Sequence, residues 1–173
     1  SDGEGNMQLS EDDTPYRGTV LEHLLIQHLT SFYDVGEHNH IRLRGADWND
    51  GLDMAEKRGE SVSFTALYGG NLRDLAKDIM TLSKKTGKDT ISLAKEIEVL
   101  LNADKTVYDS IDEKHKVLNA YCNAVGHKVS GEKVSVDCTK LCNVLNEMSS
   151  WIADHIRKTE WITNKEGCLL YTS

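Results

Sequence analysis

Arg42-Leu43-Arg44-Gly45-Ala46-Asp47-Trp48-Asn49-Asp50-Gly51-Leu52-Asp53 has no steady hydrophobic period, yet it lies between two strongly periodic stretches. Before it, Val20, Leu21, Leu24, Leu25, Leu29 and Phe32 recur at helical spacing, and Gly36 reads as the close of that helix. After it, Phe64, Leu67, Tyr68, Leu72, Leu75, Ile79 and Leu82 form a second helical stripe. The span from Glu37 to Glu60 is rich in Gly, Asn, Asp and His and reads as one long structured loop. Long loops in compact domains are usually functional or disordered, and a tryptophan among ionisable groups favours function here.

Working outward, helical spacing continues. Leu93, Ala94, Ile97, Leu100 and Leu101 predict a short helix. Ser110-Ile111-Asp112-Glu113 has the pattern of a capping box, with Ile111, Leu118, Tyr121, Cys122 and Val125 on one face and Gly126 as the stop. His115 falls on that stripe and reads as a satisfied core histidine. Leu141, Val144, Leu145, Met148, Trp151, Ile152 and Ile156 predict a last helix, capped by Asp137 or Thr139. Lys128 to Asp137 alternates around Ser130-Gly131 and reads as a small hairpin, the one β signal. The chain has a single proline, Pro15, which suits long helices. The expected class is all-α. Gly69 and Gly70 sit inside the second stripe; either a helix or ligand approaches there, or packing overrides their poor propensity.

Charge and cysteines exclude several functions. The formal net charge is −8, which does not suit a nucleic-acid partner. Glu37-His38-Asn39-His40 superficially resembles His-Asn-His nucleases, but the acidic balance and missing strand–strand–helix context argue against that. The two histidines read as loop hydrogen-bonding groups. Apolar runs are too short to cross a bilayer, and Ser1 to Asp13 lacks the pattern of a signal peptide, so a cytoplasmic protein is expected. Cys122, Cys138, Cys142 and Cys168 match no zinc spacing and read as reduced thiols; no metal site is expected.

The chemistry concentrates at Asp47, Trp48, Asn49 and Asp50. An indole packs on a pyranose face while neighbouring carboxylates and amides bond its hydroxyls. A carboxyl held against an indole is desolvated, which raises its pKa toward that of a general acid. On these grounds the segment is a candidate carbohydrate site; a polar loop with a structural tryptophan is the alternative.

Asp47-Trp48-Asn49-Asp50-Gly51 resembles the signature of glycoside hydrolase family 94, the cellobiose and chitobiose phosphorylases. Arg58-Gly59-Glu60-Ser61-Val62 and Val20-Leu21-Glu22-His23-Leu24 resemble the flanks of that signature, so the likeness runs from about Thr19 to Leu75. The resemblance implies an (α/α)6 barrel, of which this chain would be a partial toroid with a long catalytic loop. It implies Asp50 as general acid and Trp48 at the site of the transferred sugar, with Asp47 and Asn49 at motif positions. It implies inverting phosphorolysis of a β-linked glucoside, a disaccharide or β-glucan oligosaccharide, to an α-sugar 1-phosphate. Inorganic phosphate is then the co-substrate and no cofactor is needed. Arg42 and Arg44 read as salt-bridge partners rather than phosphate ligands. A homodimer is a candidate assembly of the full-length protein.

Cys168-Leu169-Leu170-Tyr171-Thr172-Ser173 is what the codons TGT CTC TTA TAC ACA TCT of a transposon mosaic end would encode. Residues 168–173 are therefore read as a sequencing-library scar and residues 1–167 as an incomplete α/α-barrel catalytic domain, inactive alone. Two other functions stand beside this one: a non-catalytic helical carbohydrate-binding module, and a phosphorylase-like domain of a cyclic β-1,2-glucan synthase.

Overall fold

Two long helices, α2 (Val62–Thr86) and α5 (Cys138–Thr159), pack face to face and form the spine of the molecule. The computed structural model describes residues 8–44, 58–163 and 169–171. The spine forms because both sequences carry an apolar stripe at helical spacing. Leu72, Leu75, Ala76 and Ile79 of α2 meet Leu141, Leu145, Met148 and Ile152 of α5 in one buried cluster. Each fully buried leucine contributes about 1.5–3 kcal/mol relative to exposure. Gly69 lets the two helices approach: a Cβ there would stand 2.8 Å from Ile152 Cγ2, and Ser149 Oγ donates to the Gly69 carbonyl at 2.7 Å. Gly70 faces open space, so close approach explains only the first of the pair.

Against this spine lie α1 (Val20–Tyr33) and α4 (Ile111–Val125), with a short α3 (Glu98–Leu101) between them. α1 buries Leu25, Leu29, Phe32 and Tyr33, and the Tyr33 hydroxyl donates to the Leu100 carbonyl at 2.9 Å. Helix ends follow side-chain capping. Thr19 and Glu22 form a complete capping box on α1, Ser61 caps α2, Ser110 caps α4 and Asp137 caps α5. Gly87, at φ +67°, ends α2 in the left-handed conformation that glycine adopts without strain.

Three expectations need correction. The first helix ends at Tyr33 with Asp34 as its C-cap, not at Gly36. Leu93 and Ala94 belong to strand β1 (Thr90–Ala94), followed by a 3-10 turn over Lys95–Ile97, so the short helix begins only at Glu98. Lys128 to Asp137 is not a hairpin: β2 (Lys133–Asp137) pairs antiparallel with β1, Thr90 opposite Asp137 and Ala94 opposite Lys133. The class is therefore mostly helical rather than purely α, because β3 (Trp161–Thr163) also pairs with β4 (Leu169–Tyr171). Among the described residues no helix is long and apolar enough to cross a membrane.

One buried carboxylate joins α1 to the β1–β2 ribbon. Glu22 accepts from the Thr19 N–H at 2.6 Å, the Ala94 N–H at 2.7 Å, the Tyr16 hydroxyl at 2.9 Å and Lys133 Nζ at 2.6 Å. Burial pushes its pKa up, but the Lys133 ammonium and the donated hydrogen bonds outweigh that and hold it below the usual range.

Candidate functional site

Asp47, Trp48, Asn49 and Asp50 lie outside the described residues. What the structure places is the frame of chain that flanks them in sequence, up to Arg44 and from Arg58. The frame starts where α1 stops. The Asp34 N–H closes the last turn of α1 on the Thr30 carbonyl at 2.9 Å. The chain then reverses. Val35 bridges Ile41, the Gly36 N–H donates to the His40 carbonyl at 2.9 Å, and Asn39 takes φ +63°, a conformation that Asn tolerates better than most residues.

Glu60 builds this turn from the other side. Its carboxylate accepts from the His38 N–H at 3.0 and 3.1 Å, His38 Nδ1 at 2.8 Å and the His40 N–H at 3.0 Å. The two N–H groups are donors that a tight turn leaves without partners, gathered here on one charge. Gly36 makes room for it: a Cβ at that position would stand 2.4 Å from Glu60 Cγ. The contact with Glu60 raises the His38 pKa.

A short antiparallel pairing then brings the two flanks of the motif together. The Leu43 N–H donates to the Gly59 carbonyl at 2.9 Å, the Ser61 N–H donates to the Ile41 carbonyl at 3.0 Å, and Arg42 bridges Glu60. The Ile41 N–H donates to Thr65 Oγ1 at 2.9 Å, which fastens the pair to α2. Arg44 forks onto Asp34, Nε to Oδ2 at 2.5 Å and Nη2 to Oδ1 at 2.8 Å, and its pKa is raised by that pairing. Arg58 donates to Glu37 at 2.6 Å. Residues 44 and 58 thus leave the pair side by side. The expected single loop from Glu37 to Glu60 is instead a turn and a paired neck at its described ends, because Glu60 and the ladder satisfy backbone groups that a loop would leave to water.

The hydrogen-bonding roles expected of the two histidines are present. His38 sits on Glu60, while His40, buried, meets Glu160 Oε1 through Nε2 at 3.0 Å. His115 meets the Val35 carbonyl at 2.7 Å. Arg44 is the salt-bridge partner expected. A cleft of about 290 Å³ opens beside the neck, lined in part by Ser31, Arg42, Arg44, Phe64 and Tyr68. A wider cleft, about 530 Å³, lies between Tyr108, Asp109 and α5 and shares no residue with the neck. Among the described residues no group of three or more His, Cys, Asp or Glu could hold a metal ion.

The frame therefore brings Arg44 and Arg58, the described residues on either side of the Asp47–Gly51 segment in sequence, to a neck fixed to α1 and α2. The model of the glycosyl hydrolase 94 superfamily catalytic domain matches residues 2–153. The chain belongs to that superfamily. Membership points to an enzyme of the glycoside phosphorylase kind in general. Comparison with curated proteins gives no match.

Two members of the frame escape a reading of the sequence. Glu60 stands out there only within the Gly-Glu-Ser-Val step, and Lys114, a buried residue of α4 that bonds Asn39 Oδ1 at 2.9 Å, does not stand out at all. The buried Glu22 carries a legible signal, since a threonine followed three residues later by a glutamate is the pattern of a capping box. Nothing comparable marks Lys114, because a lysine on a helix is ordinarily solvated.

Proposed function

We propose that this chain is part of the catalytic domain of an inverting glycoside phosphorylase, with Asp50 as its general acid. The observation that carries the reading is the Asp47-Trp48-Asn49-Asp50-Gly51 motif inside the superfamily match. The neck supports it: a segment that must bring an acid to a glycosidic oxygen within hydrogen-bond reach needs fixed ends. The exposed apolar residues Val20, Leu67 and Leu82 fit helix faces that further helices of an (α/α)6 toroid would cover, so the chain alone would be inactive.

In this reading Trp48 packs on the transferred sugar, and Asp47 and Asn49 bond its hydroxyls or hold the segment in shape. A phosphate oxygen attacks the anomeric carbon from the α face as the bond to the leaving oxygen breaks. The Asp50 carboxyl gives its proton to that oxygen and is left as carboxylate. The β-linked glucoside becomes an α-sugar 1-phosphate and a shortened sugar or glucan. An inverting hydrolase needs a second carboxylate to activate water, whereas phosphate is already the nucleophile. Inorganic phosphate is the co-substrate, no cofactor takes part, and the reaction belongs to the cytoplasm, where sugar phosphates are used.

The test is sugar 1-phosphate release from β-linked glucose disaccharides by the protein of the complete gene, with and without phosphate. Phosphate-dependent release supports the reading. Sugar released without phosphate makes the protein a hydrolase, and sugar bound without any release makes it a binding module.

A further inference from the structure

Lys114 is completely buried, although it is one of the most strongly hydrated side chains. It projects from α4 into a box of aromatic rings. Its Nζ lies 4.1 Å from the centroid of Phe32 on α1 and 3.8 Å from that of Trp151 on α5. The nearby carboxylate of Asp109 accepts from Trp151 Nε1 at 2.9 Å, and no carboxylate among the described residues forms an ion pair with Lys114. The side-chain acceptor that Lys114 reaches is Asn39 Oδ1, at 2.9 Å.

Removing one partner of a buried hydrogen bond leaves the other unsatisfied, so what Lys114 bonds decides what it does. Asn39 is the residue of the turn with positive φ, and its other amide atom donates to the Tyr108 carbonyl at 3.0 Å. The neighbouring His38 carbonyl meets His155 Nε2 at 2.9 Å. Two residues after Asn39 the neck begins at Ile41. Helices α1, α4 and α5 thus converge on the Lys114 amine, which bonds the Asn39 amide at the point where the chain turns toward the neck.

We propose that Lys114 is a positioning residue that, through Asn39, fixes the turn at Gly36–His40 and with it the direction of the Ile41–Arg44 neck. Its effect on catalysis rests on the phosphorylase reading above; its effect on the neck does not. Lys114 touches no reacting group. It acts by holding the backbone from which the acid-bearing segment departs, where a displacement of about 1 Å can cost up to about a hundredfold in rate.

Amide hydrogen exchange at Leu43 and Ser61, with kcat and KM measured beside it, tests the proposal in the protein of the complete gene. Lys114→Met keeps the length and apolar stem of the side chain. Asn39→Gly removes the amide and accepts positive φ without strain. Both variants are expected to exchange at Leu43 and Ser61 at least about tenfold faster, with the interior of α2 and α5 unchanged, and to lose about tenfold in kcat with KM nearly constant. The double variant should be no worse than either single one, since both remove one interaction. Wild-type exchange at the neck in folded Lys114→Met or Asn39→Gly overturns the proposal. Should Lys114→Met not fold, Asn39→Gly decides alone. A wild-type protein without phosphorolysis removes the enzymatic reading, while the exchange result still decides the positioning role.

Discussion

Glu22 and Glu60 are both nearly buried carboxylates that collect backbone N–H groups, but they collect them from different places. Glu22 draws on Tyr16, Thr19, Ala94 and Lys133, which come from the N-terminal segment, the start of α1, β1 and β2. Glu60 draws on the neighbouring His38 and His40 of one turn. The first carboxylate joins elements distant in sequence and so holds the fold. The second shapes one turn and so aims the neck that leaves it. The lysines near the two ends of α1 differ as well. Lys133 faces a carboxylate and its pKa is raised, whereas Lys114 faces an amide, and burial pushes its pKa down to about 7. The scaffold end of α1 is tied by the Glu22–Lys133 pair, and the Asn39 turn beyond its motif end by hydrogen bonds around a desolvated amine.

The two carboxylates are separated most clearly by a change at Glu22. Glu22→Ala leaves the Thr19 and Ala94 N–H groups without their acceptor, and a cost of about 2–4 kcal/mol is expected, moderated because Lys133 reaches water. Denaturant titration measures it. Whatever stays folded should retain wild-type kcat; a large loss of kcat with little loss of stability would reverse the roles assigned to Glu22 and Glu60.

The lysines give a pH test. Lys114 titrates near 7 in the folded chain and near 10.5 when unfolded, with Asp109 favouring its charge and His155, itself held neutral by burial, close by. Between those values the unfolded chain binds a proton that the folded chain does not, so stability rises with pH from about 7 toward 10. Lys133 has the opposite sign, and its contribution is lost only as pH rises through its own raised pKa. Thermal midpoints should therefore climb between pH 7 and 9, and Lys114→Met should flatten that climb.

Gly36→Ala and Glu60→Gln probe the motif end of α1. The added Cβ must displace Glu60, so each change is expected to cost about 1–3 kcal/mol and to lower kcat more than Glu22→Ala does in folded protein. Equal stability and full kcat in both would show that Glu60 aims nothing. The smallest effect belongs to Gly70→Ala, which meets no atom within 4 Å and should stabilise α2 by about 0.5–1 kcal/mol without touching kcat. Gly69→Ala, pressed against Ile152, should destabilise instead.

Much of the fold is legible in the sequence. The stripes of α1, α2, α4 and α5 show in the spacing, because each buries one face against the same core. The strand at Lys133–Asp137 shows in its alternation, but its partner does not, because Thr90–Ala94 lies far away in sequence and carries Leu93 and Ala94 where a helix would also place them. The motif and the superfamily are legible from Asp47–Gly51 and its flanks. The frame is not: Glu60, Asn39 and Lys114 act together only after three helices bring residues 75 positions apart into contact.

Everything proposed for the motif turns on one step, in which Asp50 protonates a glycosidic oxygen while phosphate inverts the anomeric centre. The most direct measurement is the anomeric configuration of the sugar 1-phosphate formed from a β-linked glucose disaccharide by the protein of the complete gene, read by NMR beside its Asp50→Asn variant. The α anomer is expected, formed only with phosphate, together with a loss of about 10²–10⁴-fold in the variant. A β anomer, free glucose without phosphate, or undiminished turnover in Asp50→Asn would contradict it.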